Sequence, residues 1–248
     1  MPRQARQKSN TGIYHVILRG INRQIIFEDE EDKERIIETL ERYKSICGYT
    51  LYTYCLMGNH IHILLKTEKE NLDLVLKRIG GSYVYWYNLK YKRSGHLFQD
   101  RFKSEAVESD RYLLGVIRYI HQNPLKAGLC KDISEYEYSS FREYLRGESR
   151  LLDIAFVYSI VDKEAFIKLN NEKHDERCLD VESSANRLND ADAQEIIQSV
   201  SKCKNATEFQ ALESVRRDHY IKELRARGLS IRQISRLTGI SFGLVRKV

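Results

Sequence analysis

Hydrophobic residues in the first part of the chain follow two different spacings. Residues 13–18 form a run of β-branched and aromatic side chains, which predicts a β-strand. From 30 to 47 the apolar side chains recur every three or four positions, which predicts a helix. Strand character returns over 49–65, where the turn-forming pair Gly58-Asn59 favours a β-hairpin.

The same two spacings continue toward the middle of the chain. Apolar side chains along one side of 72–89 predict a second helix, and alternation near residue 106 favours an edge strand. A third helix is expected to be capped by Asp110 and to stop at Asn123, because Pro124 follows. This order predicts an α+β fold with a ferredoxin-like antiparallel sheet and helices on one face.

The pattern changes after Arg146-Gly147. One helical segment over 151–169 precedes a polar, acidic stretch, which we interpret as a connector. From residue 190 onward the spacing is helical throughout. We therefore expect a domain over 1–146, a helical segment with an acidic connector over 147–189, and a small all-α domain over 190–248.

Composition narrows the class of protein. The chain has 42% hydrophobic and 10% aromatic residues, which excludes a mostly disordered chain. No apolar stretch approaches the length that spans a bilayer, and the polar N-terminus does not resemble a secretion signal. Five cysteines without a CxxC pair favour neither disulfides nor a zinc site. We therefore expect a cytoplasmic protein without a membrane partner.

The net charge of +6 is distributed unevenly. Residues 1–150 carry 25 lysines and arginines against 20 acidic residues, and 151–214 carry 7 against 13. The last segment, 215–248, has 9 cations against 2 anions. Two basic blocks separated by an acidic one indicate two surfaces for a polyanion, most often nucleic acid. Ordinary surface charge is the alternative.

His60 and His62 lie two positions apart on a predicted strand, so their side chains share one face. Two imidazoles at this spacing can ligate one divalent metal ion. The pattern is weak evidence by itself, since histidines at a sheet surface are more often structural.

Tyr119 and Asn123 are four positions apart on the third predicted helix and therefore share a face. A phenol can attack phosphorus when a metal ion polarises the phosphate oxygens, which leaves a covalent phosphotyrosine. The amide oxygen of Asn123 can complete the ligand set of such a metal. Tyr112 lies seven positions earlier on nearly the same face, so spacing does not decide which phenol is the nucleophile. Core packing is the alternative role.

Five motifs of the first part of the chain form a specific combination. They are GIYHVILRG (12–20), LMGNHIHILL (56–65), GHLFQDRFK (95–103), YIHQNPLKAG (119–128) and the pair Ser139-Ser140. Together they resemble the single-tyrosine HUH transposases, and in particular the REP-associated tyrosine transposases of the IS200-like group. The resemblance covers about residues 1–146 and is far more specific than any one motif. Gly58 stands where the family commonly has proline, which affects the turn and not the chemistry.

The resemblance implies roles for individual residues. His60 and His62 would bind Mg²⁺ or Mn²⁺ with Asn123 as third ligand, and Tyr119 rather than Tyr112 would be the nucleophile. It further implies cleavage of single-stranded DNA near a foldback hairpin, which leaves a 5′-phosphotyrosine and a free 3′-hydroxyl. Members of the family include dimers with shared active sites, so we expect a homodimer.

Two cationic segments are expected to contact DNA. Basic and aromatic residues interleave over 90–103, as on surfaces that hold a DNA backbone and stack bases, although solvated charge over buried aromatics explains the pattern equally well. Around Gly239, two short helices with inward apolar residues resemble a helix-turn-helix, and a helical hairpin for oligomer contacts is the alternative. The predicted DNA-binding residues are Arg93, Arg101, Lys103, Arg232, Arg236, Arg246 and Lys247.

These observations predict a site-specific DNA transposase that cleaves and rejoins single-stranded hairpin DNA while bound to flanking duplex. A non-catalytic DNA-binding regulator that uses only the helix-turn-helix is the main alternative, and a metal-dependent phosphohydrolase is a third. The joint presence of His60, His62, Tyr119 and Asn123 favours the transposase, because a domain kept only for binding needs none of them.

Overall fold

Four strands form one antiparallel sheet in the computed structural model of the chain. Their order across the sheet is β2-β3-β1-β4, so β3 and β1 are the central pair. The structure describes residues 7–99, 101–172, 178–180, 190–203 and 205–248, with the backbone alone at 190–192. The strands are β1 (Ile13–Arg19), β2 (Thr50–Met57), β3 (His60–Lys66) and β4 (Lys103–Ala106).

The connections explain this order. β1 and β2 are joined through a helix and β3 lies between them, while β3 and β4 are joined through a second helix and β1 lies between them. This split βαβ arrangement confirms the predicted α+β, ferredoxin-like sheet. The helices of this part are α1 (Glu30–Cys47), α2 (Leu72–Lys90), α3 (Asp110–Lys126), α4 (Phe141–Arg146), α5 (Ile154–Ile160) and α6 (Lys163–Asn171).

The boundaries of α3 differ from the sequence prediction. Ser109, and not Asp110, is the N-cap, and its hydroxyl accepts a hydrogen bond from the amide of Tyr112 at 3.3 Å. The helix also continues past Asn123 through Pro124 to Lys126. Pro124 is buried, and its packing in the last turn offsets the backbone hydrogen bond that proline cannot donate.

The first unit extends beyond residue 146, where sequence analysis placed its end. The chain divides near residue 181, and α5 and α6 belong to the first unit. The amide of Asp153 donates to the carbonyl of Leu51 at 2.8 Å, and Phe166 is fully buried in the same core. Most of the predicted acidic connector, 173–177 and 181–189, lies outside the described residues.

The second unit is all-α, as its sequence spacing predicts. Its buried residues include Phe209, Ile221 and Ile234. Along the described stretches of the whole chain, no helix combines the length and the apolar character that a bilayer crossing requires. Its helices are α7 (Asp190–Ser201), α8 (Ala206–Gln210), α9 (Ser214–Ala226), α10 (Ile231–Thr238) and α11 (Phe242–Lys247).

Candidate active site

The β2–β3 hairpin presents His60 and His62 on one face of the sheet, with ring centroids 5.0 Å apart. The register of β1 against β3 pairs Arg19 with His60 and Ile17 with His62. Paired residues of antiparallel strands point to the same face, so β1 presents His15 and Arg19 beside the two histidines. Four side chains from two central strands thus converge on one patch.

His62 is fully buried and has one hydrogen-bonded ring nitrogen. Its Nδ1 lies 3.0 Å from Nε2 of His15, and the two rings stack with centroids 5.3 Å apart. Within the described part of the chain, Nε2 of His62 is buried without a hydrogen-bond partner. A buried nitrogen without a partner is costly, and a ligand at that position would remove the cost.

The tautomer of His60 follows from its neighbour Asn59. Nδ2 of Asn59 donates to the carbonyl of Arg23 at 3.2 Å, which directs Oδ1 of Asn59 toward Nδ1 of His60 at 2.7 Å. An amide oxygen only accepts, so Nδ1 of His60 carries the proton and Nε2 keeps its lone pair. Nε2 of His60 is therefore available to a metal ion.

Burial keeps the histidines of this patch neutral. It lowers the pKa of His60 to about 4, with a further contribution from the positive charge of Arg19. It lowers the pKa of His62 well below the ordinary value, and the neighbouring His60 and His15 add to the effect. Burial alone lowers the pKa of His15 to about 3. Neutral imidazole is the form that binds a metal ion, so the site needs no deprotonation at neutral pH.

Helix α3 places Tyr119 against the same patch. Its ring makes edge contacts with His62 at 5.7 Å and with His15 at 5.9 Å between centroids, and it is 5% exposed. Tyr112 makes no such ring contact with His15 or His62 among the described residues, and its hydroxyl hydrogen-bonds Glu105. Spacing left open whether Tyr112 or Tyr119 is the nucleophile, and the position of Tyr119 beside the histidines favours Tyr119.

The hydroxyl of Tyr119 is held in a polar, mixed-charge environment. Burial raises its pKa, and so does a hydrogen bond with Asp180, whereas Asn123 acts in the opposite direction. The ammonium nitrogen of Lys126 lies 4.7 Å from the ring centroid. The phenol is therefore neutral at pH 7, with a cation near enough to stabilise its ionised form.

The side chains that could hold a metal ion are the two histidines and Asn123. Among the residues that the structure describes, no three His, Cys, Asp or Glu side chains form a metal-binding group. The side-chain amide of Asn123 donates to the carbonyl of Tyr119 at 2.9 Å, which leaves its Oδ1 oxygen as the acceptor atom. Two neutral imidazoles and one amide oxygen would give a divalent ion an N₂O set with open positions.

The predicted DNA-binding residues of the first unit lie on different parts of its surface. Arg93 donates to Oε1 of Gln24 at 3.3 Å and lies 5.4 Å from the Tyr87 ring centroid. Arg101 is 66% exposed and only 3.9 Å from a carboxylate oxygen of Asp73, and Lys103 is exposed on β4. Arg93 is half-buried, whereas the exposed Arg101 and Lys103 can contact a phosphate backbone.

In the second unit, α10 and α11 form the predicted pair of short helices. Ser230 caps α10 in a reciprocal capping box with Gln233, and Gly239 ends it at φ 71° in the left-handed region that favours glycine. Ser241 caps α11, and Val245 is fully buried. The four predicted cations of this unit are all exposed: Arg232, Arg236, Arg246 and Lys247.

Sequence reasoning missed three residues of the site. His15 and Arg19 come from β1, and only the β1–β3 register reveals that they lie beside His62 and His60. Nε of Arg19 is buried without a hydrogen-bond partner within the described ranges. Asp180 lies in the predicted connector, and nothing in its local sequence indicates a contact with Tyr119.

Comparisons with known proteins find similarity to transposases. The family described as IS200-like transposases matches residues 8–123. A Haemophilus influenzae protein provisionally named a REP-associated tyrosine transposase is 28% identical over 129 residues, which cover 46% of this chain and 72% of that protein. A solved structure of a REP-associated tyrosine transposase bound to a REP hairpin is 18% identical, with a TM-score of 0.52 over 73% of this chain and 100% of that chain. The last likeness concerns the fold.

Proposed function

Since residues 8–123 belong to the IS200-like transposase family, we propose that this chain is a metal-dependent tyrosine nuclease and strand transferase for single-stranded hairpin DNA. The position of Tyr119 against His62 carries this proposal, because it brings a nucleophile and a metal ligand to one buried patch. The hairpin is proposed on the family resemblance, and the solved relative with a bound REP hairpin is consistent with it.

The proposed chemistry uses Tyr119 as a nucleophile. Its phenolic oxygen forms a bond to the scissile phosphorus as the bond to the 3′ oxygen breaks, so the DNA keeps a 3′-hydroxyl and the protein carries a 5′-phosphotyrosine. A free 3′-hydroxyl then attacks the phosphotyrosine, which rejoins a strand and restores Tyr119. No nucleotide cofactor is needed, since the bond energy is stored in the covalent intermediate.

Charge stabilisation explains why the phenol can react. The pKa of Tyr119 is raised by burial, so its proton must leave before or during attack. The ammonium of Lys126 would favour the phenolate, and the guanidinium of Arg19, which is on the same face of the sheet as His60, would hold a phosphate oxygen. A Mg²⁺ or Mn²⁺ held by His60, His62 and Asn123 would supply Lewis-acid polarisation of the scissile phosphate.

The test is formation of a denaturation-resistant adduct on a hairpin oligonucleotide with single-stranded flanks, in Mn²⁺. A label at the 3′ end should follow the protein, and a label at the 5′ end should appear on a released fragment. Tyr119→Phe should reduce adduct formation by about 1000-fold or more. Hairpin binding should be nearly unchanged, because only the attacking oxygen is lost. Tyr112→Phe is the matched control and should retain the adduct.

Three results would count against the proposal. Loss of the adduct in Tyr112→Phe with retention in Tyr119→Phe would reassign the nucleophile. Full adduct formation in excess chelator would exclude the metal. Tight binding without an adduct under any condition would support the alternative of a non-catalytic regulator.

We also propose that α10 and α11 bind duplex DNA that flanks the hairpin. The exposed Arg246 and Lys247 lie on α11, the second helix of the pair. Replacing both with alanine should weaken duplex binding and lower the salt slope of log K by about 0.9 for each phosphate that the protein no longer neutralises. The matched control replaces Lys222 and Arg225 of α9, which removes the same charge. Equal losses in the two double variants would mean that binding is not localised to α11.

A further inference from the structure

The environment of His62 contains a second histidine that the proposed chemistry does not use. His15 is fully buried on β1, and its Nε2 lies 3.0 Å from Nδ1 of His62. Nδ1 of His15 is buried without a hydrogen-bond partner among the described residues. The structure thus places a polar side chain in the core whose only hydrogen bond, within that part of the chain, goes to a proposed metal ligand.

The direction of this hydrogen bond is determined by what His62 must do. A neutral imidazole carries one proton, and a metal ion at Nε2 requires that proton to be on Nδ1. Nδ1 of His62 then donates, so Nε2 of His15 must accept, and the proton of His15 is on its own Nδ1. Protein metal sites commonly orient a ligating histidine through an acceptor on its second ring nitrogen.

We propose that His15 is a positioning residue that holds His62 in the tautomer and orientation required for metal binding. The proposal rests on the metal site of the proposed function. Stacking of the two rings, with an angle of 26° between their planes, also limits rotation of the His62 side chain. A purely structural residue at this position would be apolar, because His15 leaves one nitrogen without a partner in the core.

The first test measures Mn²⁺ affinity of the DNA-free protein by calorimetry and electron paramagnetic resonance. His15→Leu removes the acceptor and fills its buried position with an apolar side chain, and it should weaken Mn²⁺ binding by about 10–100-fold. His15→Gln keeps an acceptor oxygen and should restore most of the affinity. His121→Gln is the matched control, because it changes a fully buried histidine in a separate hydrogen-bond network and should leave Mn²⁺ binding unchanged.

The second test measures the tautomer of His62 and needs no metal ion. Nitrogen-15 NMR of the metal-free wild-type protein should show His62 protonated at Nδ1, and His15→Leu should yield a mixture of tautomers. Protonation of His62 at Nε2 in the wild type would overturn the proposal, and so would a folded His15→Leu protein that binds Mn²⁺ as tightly as the wild type. If the wild type itself binds no Mn²⁺, the metal-dependent function is wrong, and the role of His15 is rejected with it.

Discussion

Two histidines of the first unit, His121 and His62, are equally buried but differ in how many of their ring nitrogens are hydrogen-bonded. His121 is fully buried, and both of its nitrogens are hydrogen-bonded, Nδ1 to Asn170 at 2.8 Å and Nε2 to Thr53 and Ser140 at 2.8 and 2.9 Å. His62 is equally buried, but its Nε2 has no partner within the described residues. Burial alone therefore does not distinguish a structural histidine from one proposed to be functional. The distinction lies in whether a buried ring nitrogen lacks a hydrogen-bond partner.

The contrast has a physical basis. A polar network that is fully satisfied holds a core in one arrangement, and the His121 group joins β2, α3 and α6 in this way. A network with one open position costs free energy until something binds there. Sites for ligands are accordingly found where folding leaves a polar group unpaired and access remains.

The largest expected difference between the two groups is in metal binding. His62→Ala should abolish measurable Mn²⁺ binding, because it removes a proposed ligand nitrogen, while His121→Gln should leave the affinity within about twofold of the wild type. Calorimetric titration of both variants and the wild type without DNA gives the comparison. Equal losses in the two variants would mean that the effect is indirect, through the fold.

The next difference is in stability, where the His121 variant should be affected more than the His62 variant. His121→Leu should lower the free energy of unfolding by about 3 kcal/mol, because it leaves Asn170 without its partner and breaks a buried network. His62→Leu should cost less, about 1–2 kcal/mol, because it breaks one buried hydrogen bond, to His15, and also removes a nitrogen that was unpaired. Urea unfolding of the metal-free proteins, followed by the fluorescence of the single Trp86, measures the first unit. A larger loss in His62→Leu would contradict the comparison.

The sequence could predict those features of the site that depend only on the spacing of residues within one strand or helix. His60 and His62 share a face because they are two positions apart on a strand, and Tyr119 and Asn123 share one because they are four apart on a helix. The alternation of elements likewise predicted the sheet. Each of the two side-chain relations depends on a short local stretch of chain.

The remainder depends on long-range register and packing. His15 lies 47 positions before His62, and only the pairing of β1 with β3 brings their rings together. α6 supplies Asn170 to His121, which is why the first unit continues beyond residue 146. Neither relation has a signature in local composition, because each is the result of competition among many possible contacts.

The smallest expected effect concerns acid, where the two groups should behave alike. Burial lowers the pKa of His121 to about 4, despite the opposing effect of the hydrogen bond that its Nδ1 donates to Oδ1 of Asn170, and it lowers the pKa of His62 well below its ordinary value. A histidine whose pKa is lowered in the folded state is neutral there, while the unfolded chain takes up a proton below about pH 6.5. The unfolded state then binds more protons, so stability falls as pH decreases from 6.5 toward the folded-state pKa. Between pH 7.5 and pH 5.0 each such histidine should cost about 2 kcal/mol in the metal-free protein. The fall measured by urea unfolding should therefore be smaller by about that amount in His121→Gln than in the wild type.

Saturating Mn²⁺ sharpens the comparison, because it should oppose the acid effect in the wild type and in His121→Gln but not in His62→Ala. A wild-type protein whose stability is unchanged over this interval would show that these histidines are not held neutral by burial.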